Sequence, residues 1–505
     1  MNPLATIRRL FRRPAAHHAP RAAAPYRAGE VTRLNRTWQP ESWAGDNAIA
    51  QNWDLLTSRV RDLARNDPSI IALRNALTDH VIADGLRSLA AVTAGDDLHE
   101  VFNRQADELF EEWEQEADVD GRLSWPDLQR QVFEEMLDTG DGLLLRCARA
   151  EPDRQVPLCY QVLEAEQLDT SKDRPAGAGQ NAIRRGVEVD RFRRPVAYYL
   201  FDTHPADTYA ASYESRRIPA ARVIHLKSRG RPSETRGVSL HRAITQPARD
   251  LDTYLGSELT AGIIGSLLTL IHKTANPGNG LGLYPDAETA SDTTMADGSQ
   301  RVRLGRGIVA QIGTDDEVEV AESKRPNRDA KEFIQLIQML IGMGGGVSRY
   351  RLTRDYSGTT YVAGRAARLD DQAHFRPLQG YLARQIVLPV RRAWTIQAAA
   401  YGLFAAVTPR RFARELRRWV RLEILPPGVE QLDPAKETDA DLAALAAGTT
   451  TYQDVWARKG RNWRRAFRQR AREKDYAEEL GLVLSYDRPS MPASPAASTN
   501  NGEDQ

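Results

Sequence analysis

The runs IRRGVEVD (183–190), PVAYYLFD (195–202) and RVIHLKS (222–228) are short, rich in β-branched and aromatic residues, and separated by Pro, Gly and Asp. That pattern reads as strands joined by tight turns. Two further runs precede them, GLLLRCA (142–148) and LCYQVLEAEQL (158–168). Residues from Gly140 to about 228 are therefore expected to form a sheet-containing unit, and what surrounds them is helical. The fold class this gives is α+β, mainly helical.

Toward the N-terminus, IAQNWDLLTSRVRDLARND (49–67) repeats apolar residues every three to four positions at Ile49, Trp53, Leu56, Val60 and Leu63, which is helical spacing. Asp67-Pro68 breaks it, because a residue before proline avoids the helical region. A second helix is expected over Ser69–Ile82. His99–Asp120 carries nine Asp/Glu and one Arg and reads as an acidic helix that packs Val101, Leu109, Phe110 and Trp113 inward. Its outer face is either solvated, a surface that repels DNA, or a docking surface for a basic partner. Ser124 and Asp127 have the spacing of a capping box for a helix to Asp138. Beyond the sheet unit, a long helix is expected from Val238 to His272 and another over Asn327–Met343, the latter ended by Gly344–Gly346. A further helix is expected over Tyr361–Leu403, kinked at Pro377 and Pro389.

A chain of 505 residues exceeds what one core usually serves, so two or more units are expected. Lys plus Arg (69) nearly cancels Asp plus Glu (68), so net charge alone says nothing about nucleic acid. The uncharged runs Leu259–Ile271, Phe333–Ser348 and Ala393–Pro409 are shorter than the roughly 18–20 apolar residues that span a bilayer and read as core or subunit-interface segments. Residues 1–27 carry six arginines and no acid and have no apolar stretch of signal-peptide type. They read as a disordered basic arm suited to nucleic acid or an acidic partner.

Catalysis finds no support. There is no HExxH, P-loop, GxSxG or kinase signature, and Gly342–Gly346 lacks the register of a dinucleotide loop. Cys147 and Cys159 lack metal-ligand spacing. No catalytic residue, metal site or cofactor is expected. Basic stretches offer more. Arg458–Lys474 holds nine Lys/Arg and one Glu with Trp463 and Phe467 interleaved. On a helix, Arg461, Arg464, Arg465, Arg468 and Arg472 share a face suited to phosphates or to an acidic surface of a neighbouring subunit. Arg349, Arg351, Arg354, Arg365 and Arg368 cluster beside the glycine hinge, as candidates for DNA contact or ion pairing.

Several segments, in order, resemble the lambda-type portal proteins of tailed bacteriophages. They are WAGDNAIAQNWDLLTSRVRDLARNDPSIIALRNALTDHVIADGLR (43–87), VLEAEQLD (162–169), DRFRRPVAYYLFDTHP (190–205) and VIHLKSRGRPSETRGVSL (223–240), followed by LTRDYSGTTYVAGRAARLDD (352–371) and DPAKETDADLAALAAGTTTYQDVWARKGRNW (433–463). Asp84 stands where that family usually has Gly, and Val362-Ala363-Gly364 replace its serines. The resemblance spans about residues 30–482.

It implies a portal fold with a wing (28–237), a first stem helix (238–273), a clip (274–326) and a second stem helix (327–343). A tunnel loop or hinge (344–370), wing-to-crown helices and crown (371–487) and a disordered tail (488–505) would follow. The implied function is a homo-oligomeric ring of twelve subunits at one capsid vertex of the virion, assembled in the bacterial cytoplasm and passing double-stranded DNA without sequence preference. The implied partners are the terminase large subunit, head-completion and connector proteins, and the major capsid and scaffold proteins, with no membrane. The reading that competes is a sequence-independent DNA-binding assembly factor that uses the 458–474 face.

Overall fold

The computed structural model describes residues 31–484, except 95–96, 153, 210–212, 229, 268–269 and 429–432; of 274–329 it describes only three short strands. The expected N-terminal arm, the C-terminal tail and most of the expected clip lie outside the described residues.

Helices α1 (Gly45–Asn66) and α2 (Pro68–Val81) meet at Asp67. Pro68 holds Asp67 in extended backbone, and the Asp67 carboxylate accepts from Ile70 N at 2.8 Å, capping α2. Ile49, Trp53, Val60 and Leu63 are buried along α1, and Ile70, Leu73, Leu77 and Val81 along α2. The acidic helix α3 covers Glu100–Glu114, shorter than expected, and a bridge at Asp118 pairs with Tyr160. Its buried stripe is Phe102, Ala106, Phe110 and Trp113, whereas Val101 is exposed. The expected stripe was therefore one position out of phase at its start. Helix α4 (Trp125–Thr139) begins with the Ser124–Asp127 capping box and stops at Gly140, whose φ is 95°.

The sheet unit forms as expected, in two sheets. Strands β4 (Asp141–Ala148), β5 (Leu158–Leu163) and β10 (Val223–Lys227) form an antiparallel sheet with β4 in the middle. Strands β6 (Ala182–Arg184), β7 (Val187–Val189), β8 (Pro195–Leu200) and β9 (Arg216–Pro219) form an antiparallel meander. A small ladder of β1 (Arg87–Ala90) with β15 (Leu422–Leu425) ties the first quarter of the chain to its last, and β2 (Thr93–Ala94) pairs antiparallel with β3 (Asp97–Leu98).

The expected helix over Val238–His272 is interrupted. A 3₁₀ turn covers Leu240–Ala243, helix α5 runs from Thr245 to Leu267, strand β11 (Leu270–Lys273) pairs in parallel with β14 (Val309–Ile312), and β12 (Thr293–Thr294) pairs antiparallel with β13 (Gln300–Arg301). Helix α6 (Ala330–Gly345) returns beside α5. Gly344 abuts Ile244 and the Tyr254 ring meets Phe333 at 4.9 Å, so the two helices are antiparallel. Short helix α7 (Arg349–Thr353) follows, then α8 (Tyr361–Leu382), one π turn (Ala383–Val387) and α9 (Leu388–Ala400). Pro377 lies inside α8, and the π turn precedes Pro389, so the helix continues through both prolines with the irregularity between them. The described C-terminal helices include α10 (Pro409–Arg414), α11 (Leu416–Trp419), α12 (Pro434–Ala446), α13 (Tyr452–Arg458) and α14 (Trp463–Glu479).

Both halves of the chain close on one core. Phe102 of α3 packs at a tilt against Phe404 (4.8 Å) and Trp419 (4.9 Å), and Phe110 meets Trp394 edge-to-face (5.1 Å). Arg391, almost wholly buried, lies 4.1 Å over Phe110 and donates to Asp107 Oδ1 at 2.7 Å and to the Ala106 carbonyl at 2.9 Å. The sheet is locked by Asp141, which is fully buried and accepts from His225 Nε2 (2.9 Å), Arg236 Nε (2.7 Å) and Gly237 N (2.6 Å). Burial alone would raise its pKa, but Arg236 and His225 outweigh that and hold it at about 2.

Asp141→Asn leaves Arg236 buried without its counter-charge, which costs about 3–5 kcal/mol. Equilibrium denaturation at neutral pH should show that loss. Because the folded carboxyl titrates near 2, below its unfolded value, its contribution is present above about pH 4 and disappears as pH falls toward 2. The variant and the parent should therefore converge in acid.

Candidate nucleic-acid interface

The triglycine Gly344–Gly346 turns the chain from the α5–α6 hairpin back over α2. A Cβ on Gly344 would stand 2.3 Å from Ile244 Cγ2, one on Gly345 2.5 Å from Leu73 Cδ2, and Gly346 has a φ of +71°. Only residues without side chains let α6 end against both neighbours and reverse. The turn fixes α7 through Asp371, a buried carboxylate on α8. It accepts from Ser348 N (2.7 Å), Ser348 Oγ (2.8 Å) and Arg351 Nε (2.9 Å).

Between α8 and the segment that runs from β15 to Arg461 lies a cleft of about 1950 Å³. Its far wall is closed where Gly428 and Gly460 touch, since a Cβ on Gly460 would be 2.5 Å from Gly428 N. Nine cations line the cleft: Arg87, Arg130, Arg351, Arg365, Arg368, Arg376, Arg458, Lys459 and Arg461. Four acids accompany them: Asp79, Asp84, Asp371 and Asp454. Arg130 is paired with Asp79 (2.9 Å), Arg351 with Asp371, and Arg458 with Asp441 (2.8 Å). Arg365, Arg376, Lys459 and Arg461 are exposed and make no ion pair among the described residues. The Tyr350 and Tyr356 rings stack at 6.3 Å on one rim. A concentration of unneutralised guanidinium groups beside aromatic faces suits a phosphate backbone and carries no base-reading geometry.

The two expected arginine sets are redistributed. Arg365 and Arg368 line the cleft, and Arg461 joins them from a segment about a hundred residues later. Arg351 is engaged structurally by Asp371 and His80. Arg349 lies outside the cleft, 5.1 Å over Tyr350, and Arg354, also outside, adopts a left-handed conformation with φ 55°. On α14, Arg465 pairs with Glu111 (Nη2–Oε2 3.1 Å), Arg468 with Glu100, and Arg464 Nε lies 3.7 Å from Glu100. These three arginines thus face α3 of their own chain, and Arg472 is exposed. Arg87, Arg130 and Arg376 were not among the expected residues, and Lys459 lay in the basic 458–474 run without being assigned to its face; only the fold assembles these four. Among the described residues no cluster of His, Cys, Asp or Glu could hold a metal, and no described helix is long and apolar enough to cross a membrane.

The family model for phage portal protein, lambda family, matches residues 31–379. The chain belongs to the lambda family of phage portal proteins. Similar portal-family relatives include the probable portal protein of Halomonas phage phiHAP-1, 25% identical over 487 residues, covering 93% of this chain and 90% of the relative. Portal protein B of Escherichia phage lambda is 20% identical and covers 88% of each chain. Among solved structures, a chain from the neck of a native gene transfer agent particle computed with C12 symmetry has a TM-score of 0.38 and 14% identity, with 81% of this chain and 91% of that chain covered.

On the acidic helix of this portal-family chain, burial pushes Glu114 up to about 7 and Asp107 up to about 6, although Arg391 opposes both shifts. A carboxyl that titrates higher folded than unfolded weakens the fold as pH rises between the two values. For Glu114 that window is about 4.5 to 7. Glu114→Gln should therefore flatten the decline in melting temperature between pH 5 and pH 8 and raise it at pH 8. An unchanged pH profile would contradict this assignment.

Proposed function

We propose that the chain is the subunit of a portal ring at one capsid vertex, through which double-stranded DNA passes during packaging and ejection. The terminase large subunit and the head-completion proteins would dock on the same ring. The observation that carries this reading is the α5–α6 hairpin. Leu255 and Leu259 on α5 and Phe333, Leu336, Met339, Leu340 and Met343 on α6 are exposed although the hairpin's two helices already pack on each other. Apolar surface of that extent on a projecting element is costly in water and is covered when identical copies pack side by side. Such contacts are heterologous, and they close into a ring when the rotation between copies permits.

In this reading residues 28–237 make the wing, 238–273 and 327–343 the stem, 274–326 the clip, 344–370 the hinge toward the tunnel and 371–487 the crown side. Membership of the portal family supports a ring of twelve, and the cleft supports contact with phosphates. The cleft's exposed cations would hold the duplex through its backbone, weakly and without regard to sequence, as a moving substrate requires. The assembly-factor reading needs a basic face that stands open on the free monomer, and it is disfavoured because Arg464, Arg465 and Arg468 are paired with α3 of the same chain when DNA is absent.

Purified protein should form rings with a central hole of duplex width in negative stain. Leu336→Asp with Leu340→Asp should yield monomers by sedimentation while keeping the helical circular dichroism of the parent. Rings unaffected by this pair would remove the hairpin from the interface. Independently, Arg365→Glu with Arg376→Glu should leave the rings intact and reduce the slope of log affinity against log salt for duplex DNA by about 2. An unchanged slope would place the phosphate contacts elsewhere.

A further inference from the structure

The charge sorting on α3 and α14 has the form of a mask. Helix α14 carries the densest run of cations in the described chain, yet in its whole length Ala477 is its one buried residue. Its attachment to α3 is electrostatic: Arg465 to Glu111, and Arg464 and Arg468 to Glu100. All of these side chains are a third or more exposed, so water and salt reach them. Packing adds little. A notch of about 380 Å³ lies between the helices beside Val101, Trp463 and Phe467, and the Trp463 indole N–H is buried there without a hydrogen-bond partner.

The pairing is also unbalanced. Three arginines meet two glutamates, and two of the three converge on Glu100, the first residue of α3. The positive end of the α3 dipole favours the carboxylate and disfavours the arginines beside it. Exposed ion pairs of this kind contribute little individually and weaken with salt. A phosphate backbone that takes the same arginines gains, in addition, the release of its condensed counter-ions.

We infer that the acidic helix Glu100–Glu114 is a built-in mimic of the phosphate backbone that masks the basic face of α14, and that duplex DNA displaces it. This rests on the proposed role as a DNA conduit and adds a state to it. With DNA absent the face is neutralised by its own chain, so the free protein does not bind nucleic acid indiscriminately. With DNA concentrated around it, α14 exchanges Glu100 and Glu111 for phosphates.

The test is binding of the full chain to a short random-sequence DNA duplex, followed by fluorescence anisotropy across a salt series. Glu100→Gln with Glu111→Gln removes the mask and should tighten binding by about three- to tenfold at low salt, with the gain vanishing at high salt. Glu112→Gln with Glu116→Gln alters net charge equally, at the last turn of α3 and just beyond it, but touches no ion pair with α14, and should gain much less. Adding Arg465→Gln and Arg468→Gln to the unmasked variant should abolish its gain. Equal gains in the two double variants, or none in the first, would overturn the mask. Negative-stain images of the same preparations separate the two ideas, since intact rings without the gain defeat the mask alone, and absent rings defeat the portal reading.

Discussion

A chain that sends a helical hairpin out of its core must leave and re-enter at one point, and here that point is a contact between backbone and side chains with no room to spare. Gly344 lies against Ile244, where the excursion starts, and Gly345 lies against Leu73 of the second helix. Just upstream, Arg236 and Gly237 are held by the buried carboxylate of Asp141. The exit is thus fixed to the sheet by an ion pair and the return is fixed to the helices by absent side chains. The hairpin's direction, the seat of Asp371 under the hinge and the placement of α8 along the cleft all follow from that closure.

Arginine is used in two distinct ways in this molecule. Arg236 and Arg391 are almost fully buried, each with a carboxylate and an aromatic face, where a guanidinium can satisfy charge and packing together. They specify the fold. Arg365, Arg376 and Arg461 project into an open cleft, and α14 offers a further set to a partner it can release. Counting arginines along the chain cannot separate these uses, because burial decides the role and burial is a property of the whole fold.

Much of the architecture was legible locally. The Asp67-Pro68 break, the Ser124 capping box and the β-rich runs from Gly142 to Ser228 are short-range physics and formed as read, except that the second run leaves the strand at Leu163 and turns through Ala165–Gln167. The buried face of α3 was misjudged at Val101 because Phe102, one residue on, packs against Phe404 and Trp419 some three hundred residues away. The helix expected across Val238–His272 gave way to a strand at Leu270–Lys273, whose ladder partner lies at Val309–Ile312. Only half of the candidate interface could be foreseen. Arg365, Arg368 and Arg461 stood out as members of basic clusters, whereas Arg87, Arg130 and Arg376 matter through placement alone. The pairing of α14 with α3 was foreseen only as chemistry, a basic face seeking an acidic one, without the knowledge that both belong to one chain.

In the proposed portal ring, neighbouring copies close the exposed apolar faces of α5 and α6 around a DNA passage. A single-particle reconstruction of the purified assembly, computed without imposed symmetry, addresses that closure directly. The expected result is a closed ring in which Leu259, Leu336 and Met339 are covered by an adjacent subunit while the cations of the cleft remain accessible to solvent or DNA. A reconstruction in which those apolar residues face water, or a particle no larger than one chain, would contradict it.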